Sequence, residues 1–228
     1  MAASNATADD RRPLLPRPRF SVHDKQTEVL ESDARYRVLK WGRRAGKNIC
    51  AVMDLVEWGR APWLYPYGSN DPANTLIWWV GPSYDQAKKY GFEPLKNAIP
   101  NRWIKGQPTE SEPYEIELIN GLTYEFRTFD HPKTLQGAGV DHVVIDEADY
   151  MPDNLWYQDI DPMLLDSGGS AMFISKPVRP RSYFQKYFDL GQSSDYPEYF
   201  SSHATSADNP YLAEDPEDKR GTVPEYDY

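Results

Sequence analysis

The chain has 228 residues, 39% apolar and 26% charged, with a net charge of −10. That size allows one substantial core and hardly two full domains, and this balance predicts a soluble globular α/β protein. Apolar runs such as Leu76 to Val80 are too short to cross a bilayer, and the single cysteine, Cys50, excludes an internal disulfide framework and suits a reducing cytosol. With four scattered histidines (His23, His131, His142, His203), no structural zinc spacing can be assembled.

Residues 1–60 hold twelve Lys/Arg against eight Asp/Glu, and the rest hold thirteen against twenty-seven. Such an acidic surface opposes non-specific binding to nucleic acid, so any polyanion contact needs a local basic patch or another subunit. Acidity that merely keeps the chain soluble is the plainer alternative.

Residues 1–19 carry Arg11, Arg12, Arg17 and Arg19 among prolines without an apolar stretch, which predicts a flexible basic arm and no secretory signal. Asp24 to Ser32 reads as a short helix with Asp24 as N-cap. Tyr36 to Lys40 is a strand, followed by a glycine-bearing turn and a helix from about Gly46 to Gly59. Ala61 to Asn74, rich in Pro, Tyr, Gly and Asn, is a surface loop that offers Tyr65 and Tyr67 for subunit or DNA contact. Thr75 to Val80 is an apolar strand that should bury Trp78 and Trp79, and a helix follows over Tyr84 to Ala98. Tyr114–Leu118 and Thr123–Phe129 alternate around Asn120-Gly121, a strong hairpin signal. Asp141–Ile145 and Ala171–Ser175 are buried strands, Pro180–Leu190 is a helix stopped by Gly191, and Tyr199–His203 is the last strand. Alternating strands and helices predict a mostly parallel sheet covered on both faces.

Two blocks carry chemistry. In Trp41-Gly42-Arg43-Arg44-Ala45-Gly46-Lys47-Asn48, a strand, a glycine-bearing turn and a helix N-terminus can wrap phosphate oxygens with backbone N–H groups, and the lysine reaches the outer phosphates. The plainer reading, a strand-to-helix turn with solvated cations, leaves the cluster Arg43, Arg44, Lys47 without a purpose. About a hundred residues later, the apolar strand His142 to Ile145 runs into Asp146 and Glu147. Carboxylates at the C-terminal edge of a central strand sit where ligands gather in open α/β sheets. Asp146 is then the Mg²⁺-side carboxylate and Glu147 the water-orienting base of a nucleoside-triphosphate hydrolase, whereas Asp149 is expected on the surface. Asn48 stands where a Ser or Thr hydroxyl usually ligates Mg²⁺; an amide oxygen can also bind a hard cation, with weaker hydrolysis expected.

These blocks, with Gln26, Thr134-Leu-Gln-Gly-Ala-Gly-Val-Asp141, Trp79-Val-Gly-Pro-Ser-Tyr-Asp-Gln86-Ala-Lys, Ile174-Ser-Lys-Pro177 and Ser206-Ala-Asp-Asn-Pro210-Tyr-Leu, resemble the ATPase half of viral large terminases over about residues 20–228. The resemblance implies an additional-strand, catalytic-glutamate P-loop NTPase fold over residues 20–204. It also implies ATP and Mg²⁺ as cofactors, a five-subunit ring on the capsid portal, and packaging of double-stranded DNA with a small terminase subunit in the host cytoplasm, off the membrane and absent from the mature virion. By position, Lys47 is similar to the phosphate-loop lysine and Arg43 to the arginine that stabilises γ-phosphate charge; equally, Arg43 and Arg44 could contact backbone or a neighbouring subunit. Gln26 is similar to the adenine-reading glutamine, with Phe20 as the stacking aromatic, and Ser175 and Lys176 fall in the coupling segment, where Lys176 departs from the hydroxyl-rich pattern. Residues 205–228 read as a linker towards a nuclease domain absent from this chain. Arg179, Arg181 and Lys186 form the best downstream basic patch.

Two rival readings remain open from sequence. Asp146-Glu-Ala-Asp149 spells the box of an RNA-helicase group, but that group needs a second ATPase lobe for which the chain is too short. A degenerate nucleotide-binding or regulatory subunit, its metal site weakened by Asn48, is the non-enzyme alternative.

Overall fold

The computed structural model describes residues 22–212 apart from 70, 136–138, 177, 178 and 180. The basic arm, Phe20, Gln136 to Ala138, Pro177 and residues 213–228 lie outside the described residues.

Seven strands form one sheet: β1 (Tyr36–Trp41), β2 (Leu76–Gly81), β3 (Tyr114–Glu117), β4 (Thr123–Thr128), β5 (His142–Asp146), β6 (Ser170–Ser175) and β7 (Tyr199–Ala204). Their order is β3-β4-β2-β5-β6-β1-β7, parallel throughout except for the antiparallel β3–β4 hairpin predicted from Asn120-Gly121. Strand β6 is inserted between β1 and β5, the added strand that the resemblance implied.

Strand residues alternate between two buried faces, because successive side chains on a strand point to opposite sides. Leu39, Ile77, Trp79, Val144, Met172 and Ile174 join the core under α2 (Lys47–Arg60). Val38, Trp78, Val80, Val143, Ile145 and Phe173 join a second core under α6 (Asp161–Ser167) and α7 (Tyr183–Leu190). Trp78 and Trp79 are fully buried, as expected of this strand.

The other helices are α1 (Asp24–Leu30), α3 (Tyr84–Ala87), α4 (Glu93–Ala98) and the short α5 (Asp153–Leu155). The helix expected over Tyr84 to Ala98 is there with a π-turn at Lys88–Phe92 between α3 and α4. Pro94, in the first turn of α4, lacks the N–H that an unbroken α-ladder needs, so the ladder slips by one residue. Gly91 in that turn lies on Trp79, where a Cβ would come within 2.6 Å of the indole.

Several expectations are corrected. The N-cap of α1 is His23 and not Asp24, because Gln26 Oε1 accepts the His23 N–H at 3.2 Å. Residues 153–167, unassigned from sequence, form α5, a π-turn (Trp156–Ile160) and α6, with Pro162 in the first turn of α6 masking any regular helical period. Helix α7 starts at Tyr183 behind the Ser182 N-cap, so Arg179 and Arg181 precede it and do not share its face with Lys186. Asp149 is buried, where its carboxylate accepts the Arg179 N–H at 2.6 Å and a hydrogen bond from the Ser182 hydroxyl. Tyr65 stacks on Trp58 at 4.0 Å and the Tyr67 hydroxyl donates to Asp33 O at 3.0 Å, so the surface-loop tyrosines are tied to the body.

At the sheet's other end a buried ionic group fastens β1, α2, β5 and β6. Arg37 makes a two-pronged pair with Asp54 at 2.7 and 2.9 Å, and His142 Nδ1 lies 2.8 Å from Ser170 Oγ. His142 Nε2 is 2.9 Å from Asp54 Oδ2, close but poorly aligned for a hydrogen bond. Burial works to raise the Asp54 carboxyl, but Arg37 and His142 outweigh it and hold it at about 2. Burial lowers His142 despite Asp54, which keeps the imidazole neutral.

Candidate nucleotide site

Strand β1 is pinned at its exit: Trp41 Nε1 donates to Ser202 Oγ at 3.1 Å and the Gly42 N–H to Ala204 O at 2.8 Å. The chain then turns sharply through two left-handed residues, Arg44 (φ 62°) and Gly46 (φ 93°), before α2 starts at Lys47. Position 46 favours glycine because a Cβ there would be strained in conformation, and it would also push on the Gln26 amide 2.9 Å away. The first-turn N–H groups of α2 lack intrahelical acceptors, so the loop faces outward with donors and the positive end of a helix dipole.

The acids stand at the same edge of the sheet. Lys40 is in register with Ser175 on β6, and Ile174 on β6 with Asp146 on β5, so loop and acids are separated by one strand. Asn48 Nδ2 lies 3.5 Å from Asp146 Oδ1, and the Glu147 N–H donates to that oxygen at 2.9 Å. Lys47 is buried, and among the described residues its ammonium makes no hydrogen bond; its charge acts on Asp146. Burial, reinforced by the Glu147 carboxylate, pushes Asp146 up to about 7 against the pull of Lys47, the Glu147 N–H and Asn48. A carboxylate so short of positive charge suits a hard cation.

Glu147 occupies a left-handed conformation (φ 50°), uncommon for a residue with a side chain and a feature that clusters at active sites. The Ser175 hydroxyl lies 2.9 Å from Lys176 O and 3.4 Å from Glu147 Oε2, so the end of β6 touches the acid. Among the described residues no three His, Cys, Asp or Glu side chains gather into a cage, so a metal here would draw on Asp146, a neighbouring amide, phosphate oxygens and water.

Thus Lys47, Asn48, Asp146, Glu147 and Ser175 converge. Arg43 and Arg44 are exposed, Ala45 is buried and Lys176 is half-buried at the end of β6. Gln26 stands behind the loop: buried, it spends its amide oxygen on His23 N and donates from Nε2 to Gly46 O at 3.1 Å. Both amide ends of the expected base reader are therefore engaged by protein in this structure. Two residues were missed from sequence. His23 Nε2 lies 3.0 Å from Ala45 O, and Asn209 Nδ2 donates to Arg44 O at 2.7 Å. Only a histidine before a helix and an Asn-Pro pair signalled them. Residues 205–212, read as linker, therefore return to the phosphate loop.

A parallel sheet with one strand between the loop strand and the acidic strand, glycine-bent loop and paired acids at one edge, is the fold of additional-strand P-loop ATPases. Residues 95–228, more than half of the chain, match the family model described as phage terminase large subunit. The large terminase subunit of Thermus phage G20c is 28% identical over 220 residues, covering 83% of this chain and 43% of that one, and the subunit of Thermus virus P23-45 matches to the same extent. This chain spans less than half the length of these relatives. The ATPase domain of the Thermus phage P74-26 large terminase superposes with a TM-score of 0.67 at 23% identity, over 92% of this chain and 95% of that one. The large terminase of another thermophilic bacteriophage, solved in complex with ADP, gives a TM-score of 0.66 at 20% identity over 84% and 47%. The chain belongs to the phage terminase large subunit family.

Proposed function

We propose that residues 20–204 are the ATPase of a DNA-packaging motor, hydrolysing Mg-ATP to drive duplex DNA into a procapsid. The observation that carries this reading is the approach of Asn48 to Asp146, which sets the phosphate loop and the acidic strand around one small space. Gly42 to Asn48 would cradle the phosphates, with Lys47 on the outer ones and Arg43 on the charge that builds at the γ-phosphate. Asp146 and the Asn48 amide, rotated to present its oxygen, would hold Mg²⁺, which neutralises phosphate charge when bound. Glu147 orients the attacking water and accepts its proton. Ser175 and Lys176, beside Glu147, relay the state of the γ-phosphate to the neighbouring strands. Gln26 supports nucleotide binding from behind the loop.

Family membership supports double-stranded DNA, the portal and a small terminase subunit as partners, a ring of five subunits, and work in the host cytoplasm. No helix among the described residues is long and apolar enough to cross a membrane. Residues 205–228 lead, in this reading, towards the nuclease half. ATP turnover with DNA and partner present tests the proposal: Lys47→Ala and Glu147→Gln should each abolish it, and Glu147→Gln should still bind nucleotide. Turnover surviving Lys47→Ala would overturn the reading. Nucleotide binding without any turnover in the wild-type chain would favour the degenerate regulatory subunit, and duplex unwinding without portal the helicase.

A further inference from the structure

Three consecutive carbonyls of the phosphate loop accept hydrogen bonds from side chains outside it. Arg44 O takes Asn209 Nδ2 at 2.7 Å, Ala45 O faces His23 Nε2 at 3.0 Å, and Gly46 O takes Gln26 Nε2 at 3.1 Å. A carbonyl only accepts, so His23 must carry its proton on Nε2. Two donors come from the start of α1, the third from beyond β7. The two outer segments also meet, the Tyr211 hydroxyl lying 3.4 Å from Val22 O.

A trans peptide is a rigid plane in which C=O and the following N–H point in opposite directions. Holding the carbonyls of residues 45 and 46 therefore aims the N–H groups of Gly46 and Lys47 away from the braces, and holding Arg44 O fixes the peptide whose Ala45 N–H closes the loop onto Gly42 O at 3.4 Å. Arg44 needs its brace most, because its left-handed backbone (φ 62°) strains a residue that carries a Cβ.

We propose that Asn209 is a positioning residue for nucleotide: it sets the peptide between Arg44 and Ala45 and so ties the segment after β7 to the phosphate loop. This rests on the phosphate-loop reading above. Asn209 has a second task, its Oδ1 accepting the Tyr211 N–H at 3.0 Å in a local turn. The two tasks can be separated. Asn209→Ser keeps an uncharged acceptor for the turn but loses the reach to Arg44. Asn209→Asp keeps the length and the acceptor but removes the donor.

The test measures KM for ATP, kcat, the dissociation constant for Mg-ATP and the thermal midpoint of each variant, with Lys47→Ala alongside. Both substitutions should raise KM and the dissociation constant about fivefold, the loss of one neutral hydrogen bond, with kcat within about twofold of wild type and a midpoint lowered by no more than about 4 °C. Wild-type binding in both variants, or a loss confined to Asp and explained by its charge, would overturn the proposal. If Lys47→Ala also binds Mg-ATP like wild type, the phosphate-loop reading itself falls.

Discussion

The Asn48 amide stands 3.5 Å from Asp146 Oδ1, although 98 residues and one intervening strand separate the two. Where such a helix start usually presents a hydroxyl to a metal, this one presents an amide whose nitrogen faces the carboxylate. For Mg²⁺ to enter, the amide must give up that contact and turn its oxygen inward. Asn48→Thr should therefore lower the Mg²⁺ concentration for half-maximal ATP turnover, by about tenfold on the scale of altered metal surroundings. Asn48→Ala should raise it. A magnesium titration of turnover in the three proteins decides; equal half-saturation values would remove Asn48 from the metal site.

Asp146 is held in the fold at a cost. Burial, then Glu147, lift its carboxyl to about 7. A carboxyl raised above its unfolded value contributes stability that is present at acid pH and is lost as pH rises through the folded value. Near pH 8, without nucleotide or metal, Asp146→Asn should thus stabilise the protein by about 1–3 kcal/mol. The same change should abolish Mg-dependent turnover. Thermal melts in chelator, paired with a turnover assay, check both; a destabilised variant would show that the carboxylate is not crowded.

Glu147 and Ser175 should separate chemistry from binding. Glu147→Gln removes the proposed base without changing shape and should reduce kcat by about 10²–10⁴, with little change in Mg-ATP affinity. Ser175→Ala withdraws a hydroxyl 3.4 Å from Glu147 Oε2 and should lower kcat by a smaller factor, on the order of tenfold. Single-turnover kinetics distinguish a slower chemical step from slower product release. An unchanged chemical step in Ser175→Ala would remove that residue from the coupling.

The buried group at the far end predicts a two-stage acid response. His142 is lowered by burial and stays neutral when folded, whereas the unfolded chain takes up that proton near pH 6.5, so stability should begin to fall below about 6.5. Asp54 is depressed to about 2, so its contribution is full above the unfolded value near 3.9 and is lost as pH falls towards 2. Thermal midpoints across pH 2 to 8 should show both stages, and His142→Gln should remove the first. Asp54→Asn, which strands the Arg37 guanidinium, should cost about 3–5 kcal/mol. Because Asp146 gains stability over the same window, the difference between wild type and His142→Gln is what decides, and a difference that stays constant from pH 7 to 5 would contradict the neutral imidazole.

The strands, the Asn120-Gly121 hairpin and the glycine-bent loop were legible because each depends on its own few residues: apolar runs, turn chemistry and a strand that ends in two acids. Lys47, Asp146 and Glu147 stand out on the same grounds, and the structure brings them to one edge of the sheet. The helical stretch 153–167 was not legible, since a π-turn and Pro162 break the period by which a helix is recognised. Asp149 was misplaced because burial depends on partners, here Ser182 and the Arg179 N–H, that arrive from a distant part of the chain.

The sequence by itself determined which segments could grip phosphate and hold charge, since those properties belong to short stretches of backbone and side chain. Tertiary structure alone decided that Asn48 meets Asp146 and that His23, Gln26 and Asn209 stand behind the loop. Such contacts join residues 20 to 165 positions apart, and no local preference encodes a distance of that kind. They follow only when two buried faces of one sheet are packed at once.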